Sequence, residues 1–168
     1  RHLKGGPYTV VTFASWEQGL LVRHGNPKSI REAADLARRD VMIINREEGA
    51  GARLLLDQRL SAAGIKATQV KGYQRLAGSH MEVARLIAEG QADVGIGIGS
   101  VAKLLGLDFI PLQEERYDLV IPTGYLTSHP GLSPLLDAMV SRPFRTEIEA
   151  LGGYDTRDTG KVQKLGKA

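Results

Sequence analysis

The chain contains no cysteine. Disulfides, thiolate metal sites and a cysteine nucleophile are therefore excluded, while the redox compartment stays open because a thiol-free sequence suits either side of a membrane. No apolar run approaches the ~20 residues that a membrane-spanning helix needs, so no membrane insertion is expected. The opening RHLKGGPYTVV has neither a start methionine nor a basic-then-apolar signal segment, and Arg1 is expected not to be the natural beginning. Blocks of like charge are missing too. The 22 Lys and Arg are interleaved with 19 Asp and Glu, and the formal charge of +3 amounts to mild steering of anions, with no direct nucleic-acid binding expected. There is no G-x-S-x-G elbow, no P-loop and no H-E-x-x-H, and His2, His24, His80 and His129 are too scattered to suggest a metal site. No cofactor, metal or catalytic residue is expected.

What is present is the composition of an ordinary globular chain. The 168 residues, 42% apolar and 24% charged, suffice for one well-cored domain or two small lobes. From residue 29 onward helical and strand signals alternate. Ser29 and Glu32 have capping-box spacing ahead of the stripe Ile30, Ala33, Ala34 and Ala37, which predicts a helix. Val41 to Ile44 reads as a buried strand, followed by a glycine turn and a helix from about Gly51 to Ala63 closed by Gly64 and Ile65. Thr68 to Lys71 is a weaker strand signal. Ser79 and Glu82 repeat the capping-box spacing at the head of a helix ended by Gly90. ADVGIGIGSVAKLLG predicts a strand, a glycine turn and a short helix, and DFIPL a further strand. Such alternation argues for a parallel α/β sheet. TVVTFA and GLLV before this block, and YDLVIP after it, are extended segments able to connect two lobes. A helix opened by Ser133 and Pro134 has Leu135, Leu136, Met139 and Val140 as its face, another runs from about Pro143, and the tail DTRDTGKVQKLGKA is polar and expected to fray.

The loop NREEGAGAR carries the clearest chemistry. A helix start presents unpaired backbone N–H groups and a partial positive charge, and glycines let a ligand come close, so the turn is a ready anion site to which Arg53 would add a planar donor fork. A tight turn with Arg53 paired to Glu47 or Glu48 explains the same residues. A second helix start, Gly78-Ser79-His80, could face the same edge, with a hydroxyl and a titratable ring; equally, Ser79 is an N-cap and His80 a surface histidine. GIGIGS departs from the dinucleotide fingerprint and reads as a third glycine-rich turn. The carboxylate pairs Glu47-Glu48 and Glu114-Glu115 read as solvated.

The phrases FASWEQGLLVRHGNP, INREEGAGARLLLD, GSHMEVA with EGQADVGIGI, GLDFIPLQEERYDLVIP and LGGYD, in that order, resemble the periplasmic-binding-protein-like domain related to molybdate-binding proteins, a domain that also serves as the effector half of helix-turn-helix regulators. The resemblance runs from about Phe13 to Asp155. It implies a type II periplasmic-binding fold, similar also to the effector domain of LysR-type regulators: two α/β lobes with parallel-type sheets, joined by crossing strands, closing on a tetrahedral oxyanion such as molybdate or tungstate. On that template 1–28 is part of the first lobe with the first crossing strand, 29–113 the second α/β lobe, and 114–168 the returning strand and C-terminal helices of the first lobe, which is incomplete in this chain. The ligand residues it implies are Asn45, Arg46, Gly49, Ala50, Gly51, Ala52, Arg53, Ser79, His80 and Tyr117. The family usually has Ser and Thr where Ala50 and Ala52 stand, a loss of two hydroxyl donors that could cost about 1–3 kcal/mol of ligand stabilisation if nothing replaces them.

The function implied is ligand binding without turnover, as the sensor part of a cytoplasmic transcriptional regulator joined to a DNA-binding domain, or as the secreted, periplasmic component of an anion ABC transporter. An enzyme on an anionic substrate with His80 as acid or base, and an assembly module that forms a homodimer through the incomplete lobe, are the alternatives.

Overall fold

A computed structural model describes residues 6–165. The chain divides into two compact units, one formed by Glu17–Gln113 and the other by Arg1–Trp16 with Glu114–Ala168. Two strands of 15 residues, β1 (Tyr8–Val22) and β5 (Asp108–Pro122), pass from one unit to the other. TVVTFA with GLLV, and DFIPL with YDLVIP, are thus two continuous strands and not four segments. A Cβ on Gly19 would run into the Ile110 carbonyl, so glycine at this point of β1 lets β5 approach closely.

In the Glu17–Gln113 unit the strand order is β3-β2-β4-β1-β5. β2 (Ile43–Arg46) lies parallel to β3 (Leu76–Ala77) and to β4 (Val94–Ile98), while β1 runs antiparallel to β4 with Gln18 opposite Ile98 and Val22 opposite Val94. Because successive strand residues point to opposite faces, Leu20, Val22 and Ile43 enter one apolar cluster with Leu55, Leu56 and Leu60 of helix α1 (Gly51–Ala62). Leu21 and Ile44 enter another, with Val83, Ala84 and Ile87 of α2 (His80–Ala88) and Val101 of α3 (Gly99–Leu105). Both faces of the sheet are covered, as parallel β2 and β4 require. This compact unit takes in Glu17 because Gln18–Val22 is hydrogen-bonded into β4.

In the other unit the first half of β1 pairs antiparallel with β7 (Val162–Leu165) and with β6 (Tyr154–Asp155). Its helices are α4 (Tyr125–Ser128), α5 (Leu132–Val140) and α6 (Arg142–Ala150), and its core is Val11, Ile121 and Met139, flanked by Phe13 packed edge-on against Phe144 at 5.7 Å.

Several expectations are corrected. No helix starts at Ser29, which adopts φ +50°. The Asn26 side chain holds the backbone of Ile30 through both its amide groups, and a short 3-10 helix follows at Ala33–Ala37, where Asp35 accepts the N–H groups of Arg31 and Glu32. Thr68 to Lys71 is a 3-10 turn over Ala67–Gln69. The strand expected at Val41 starts two residues later, since the Met42 backbone N–H goes to the Asp93 carboxylate. Gly95 and Gly97 are not in a turn but inside β4, where a Cβ would strike Ile44 and Val83 in the first case and Leu21 in the second. On α5 Met139 is buried, but Leu135 and Val140 are about half exposed. The polar tail does not fray as far as Leu165: it buries Thr156 and adds β7. No helix of the described residues is long and apolar enough to cross a membrane.

Candidate functional site

The parallel strands of the Glu17–Gln113 unit end together. β2 stops at Arg46, β3 at Ala77 and β4 at Ile98, and α1, α2 and α3 begin just beyond. Their positive ends are thereby collected at the carboxyl edge of the sheet. The starts of α1 and α2 differ in one respect. At α2 the Ser79 hydroxyl accepts the Glu82 N–H at 3.1 Å, while the Glu82 carboxylate accepts the Gly78 N–H at 2.8 Å, so the cap is closed on itself. At α1 the N-cap is Ala50, which has no side chain able to accept, and Gly49 makes the preceding turn with φ +89°. The first-turn N–H groups of α1 lack a side-chain cap.

The loop before α1 is fixed by polar contacts behind it. Asn45, 3% exposed, donates to the Tyr73 carbonyl at 3.1 Å and accepts the Arg46 N–H at 2.9 Å. Arg46 grips the Glu47 carboxylate with two bonds of 2.8 and 2.7 Å and reaches the Gly78 carbonyl at 3.3 Å, linking the end of β2 to the start of α2. Hydrogen bonding to Arg46 holds the Glu47 carboxyl at about 2. Arg53 is buried, and pairs with neither Glu47 nor Glu48. It donates to the Arg46 carbonyl at 3.1 Å and to Asp57 at 3.2 Å, with its guanidinium 4.2 Å above the Tyr73 ring. The Tyr73 hydroxyl donates to Asp57 at 2.5 Å. A cavity of about 430 Å³ lies here, lined by Gly49, Ala50, Gly51, Arg53 and Tyr73 among others. Ala52 faces inward and belongs to the core cluster. Tyr117 lies in the other unit, 57% exposed, with its ring against that of Trp16, tilted by 37° at 3.8 Å between centroids.

Two polar groups in this unit stand out. His80, the first residue of α2, is half-buried, and its Nδ1 is shielded from solvent with no hydrogen-bond partner. Burial, and then the positive charge of Arg46, push its proton affinity below the ordinary value, against a smaller opposing pull from the Ile96 carbonyl. Gln18 was not singled out from the sequence. It sits on β1 opposite Ile98, 6% exposed, with Oε1 buried and unpaired and its Nε2 3.7 Å from where a Cβ on Gly51 would be. The available signal was slight, an amide next to Glu17 just ahead of the apolar run Leu20–Val22; a buried oxygen left unpaired there costs about 1–3 kcal/mol. Among the described residues no group of three or more His, Asp or Glu is placed to hold a metal. A buried amide and an uncapped helix start together can hold a small anion; a lone His80 without an oriented partner is poorly equipped for acid–base chemistry.

A family model for the PBP superfamily domain matches residues 1–140. The protein YvgK of Bacillus subtilis (strain 168) is 38% identical over 162 residues, which are 96% of this chain and 52% of that protein; the chain thus spans about half the length of this relative. Among solved structures, the substrate-binding domain described as that of a molybdenum ABC transporter from Clostridium difficile superposes with a TM-score of 0.62 at 16% identity, covering 87% of this chain and 66% of that one. A substrate-binding protein of phosphate ABC-transporter type from Clostridium perfringens, with bound phosphate, gives 0.62 at 15% identity over 88% of this chain and 71% of that one. At such identities the likeness is one of fold.

Proposed function

Because the chain belongs to the PBP superfamily, we propose that it is a small-ligand-binding domain that takes a tetrahedral oxyanion at the carboxyl edge of its Glu17–Gln113 unit. The observation that carries this reading is the uncapped start of α1 with the buried Gln18 amide set against it. Backbone N–H groups at the head of α1 supply donors and partial positive charge without a mobile cation. Gln18 adds a donor in place of the hydroxyls that Ala50 and Ala52 do not offer. Gly49 and Gly51 keep the approach open, Asn45, Arg46 and Arg53 hold the turn from behind, and Ser79 and His80 head the neighbouring helix. Molybdate and tungstate are the first candidates, from the phrases the chain shares with molybdate-binding proteins. Binding proceeds without turnover, and closure follows the ligand's preference for the closed state.

In a longer polypeptide, with 29–113 as the second lobe and 1–28 and 114–168 as parts of the first, such a domain fits the sensor half of a DNA-binding regulator. The second reading, an anion ABC transporter's binding component, is favoured by the fold shared with the Clostridium difficile protein.

The test is thermal unfolding at low salt with molybdate, tungstate, sulfate and phosphate in turn. An anion at about 100 times its dissociation constant adds roughly 2.7 kcal/mol to the folded state. Gln18→Leu is expected to abolish that gain while leaving the free protein as stable or more so, since the unpaired oxygen goes with it. A chain that unfolds cooperatively and responds to none of the four anions would sink the reading.

A further inference from the structure

We propose that the Glu17–Gln113 unit has a second small-molecule site, a groove at the outer edge of β3 that takes an aromatic body carrying an anionic group, such as an aryl carboxylate. The proposal stands apart from the oxyanion reading above. The groove has a volume of about 490 Å³, within the range of small-molecule pockets, and its lining includes Met42, Ala67, Val70, Lys71, Tyr73 and Arg75. Tyr73 is the one residue it shares with the lining of the cavity at the head of α1.

β3 ends the strand order of its unit, and Lys71–Arg75 prolongs that edge. The Ile43 N–H donates to the Lys71 carbonyl and the Asn45 N–H to the Arg75 carbonyl, both at 2.9 Å. Between these two bonds Gly72 turns the chain at φ +90°, and the N–H groups of Tyr73 and Arg75 go back to the carbonyls of Val70 and Gly72. With those donors spent inside the turn, the edge has no regular row of main-chain groups for an added peptide strand, and a ligand here meets side chains. The apolar part of the lining is Val70, the Tyr73 ring and Met42, whose sulfur lies 2.9 Å from where a Cβ on Gly72 would be. A thioether beside a phenol ring suits a flat aromatic body. The charged part is cationic. Residues 58–81 contain no Asp or Glu, the longest such run in the sequence, and hold Arg59, Lys66, Lys71 and Arg75. Arg59 donates to the Leu112 carbonyl, and Arg75 to the Gln91 carbonyl at 2.7 Å, neutral acceptors that leave both charges uncancelled. Among the described residues none of these four cations forms an ion pair, and no carboxylate lines the groove. Lys71 and Arg75 beside an apolar wall therefore select an anion by sign.

Amide-resolved NMR of the whole chain, titrated with naphthoate and separately with uncharged naphthamide, tests this. Naphthoate is expected to saturate with a Kd of about 1 mM or tighter, the order that usual ligand efficiency gives a molecule of its size, with the largest shifts within Ala67–Arg75. Naphthamide, and naphthoate with Lys71→Glu, should each bind about fivefold more weakly or worse, while Lys71→Arg should keep the affinity. Equal affinity for the two probes, unchanged affinity in Lys71→Glu, or no saturation by about 5 mM overturns the proposal. So do largest shifts at Gly49–Arg53, which would put the aryl anion in the cavity at α1. Hexaglutamate moving the same Ala67–Arg75 signals at lower concentration than naphthoate would assign the groove to an acidic polypeptide and overturn it too. The response of thermal unfolding to molybdate, tungstate, sulfate and phosphate is independent of all these outcomes.

Discussion

Arg53→Met separates a scaffold role for this arginine from a ligand role. Methionine keeps an unbranched stem in a position only 9% exposed and removes the guanidinium. The bond from a charged donor to the Arg46 carbonyl is worth about 1.5–3 kcal/mol net. Stacking over Tyr73 adds roughly 0.5–2 kcal/mol. The pair with Asp57, whose side chain is 41% exposed, is screened by water and contributes at most about 0.5 kcal/mol. Against these stands the relief of no longer burying a charge, so the net loss expected is about 1–3 kcal/mol. Urea unfolding followed by circular dichroism, without ligand, reads it as a lower midpoint at unchanged slope. A loss below about 0.5 kcal/mol, within the range of a featureless surface substitution, would refute the scaffold assignment. If the anion response then vanished as well, Arg53 would be a ligand donor.

Gly95→Ala would place a Cβ 2.6 Å from Val83 and 2.7 Å from the Ile44 carbonyl; since backbone cannot give way cheaply, a loss of at least about 1–3 kcal/mol is expected in the same assay. Gly51→Ala meets only the Gln18 amide at 3.7 Å and should stay within about 0.5 kcal/mol of the unaltered chain. Ser79→Ala removes the acceptor of the Glu82 N–H and should cost about 0.5–2 kcal/mol, read as a lower melting temperature. Burial and Arg46 lower the proton affinity of His80 in the folded chain, so the folded state binds fewer protons than the unfolded one. This part of the stability is complete above the unfolded value of about 6.5 and is lost as pH falls below it towards the folded value. Urea midpoints at about pH 5 and pH 7.5 should show the acid-side decline, and His80→Asn should lack its share of it.

The parts of the fold legible in the sequence were those governed by neighbours along the chain. The α1 stop at Gly64 and Ile65 and the α2 start at Ser79 depend on contacts a few residues apart, and both stand where the pattern put them: Ile65 N–H meets the Leu60 carbonyl, and Glu82 N–H meets Ser79. Ser29 misled because its capping spacing was genuine but the Asn26 amide, three residues earlier, took the backbone first. Thr68 to Lys71 misled because four residues of strand propensity do not outweigh the turn that Gly72 makes at φ +90°.

Although α5 starts at Leu132, ahead of the expected Ser133 and Pro134, the sequence by itself determined an α/β chain of short units, the capped start of α2 at Ser79, and that a glycine turn precedes α1. These follow from periodicity and local hydrogen bonding, whose partners are always close in sequence. Tertiary structure alone decided that Gly95 and Gly97 are strand residues yielding space to Val83 and Leu21, that Arg53 turns to Tyr73 and Asp57, and that Gln18 arrives at the head of α1. The last depends on β1 pairing with β4, residues about eighty positions apart. No local rule fixes which distant strand an apolar segment will choose, because that choice is made by burial of the whole sheet between its two layers of helices.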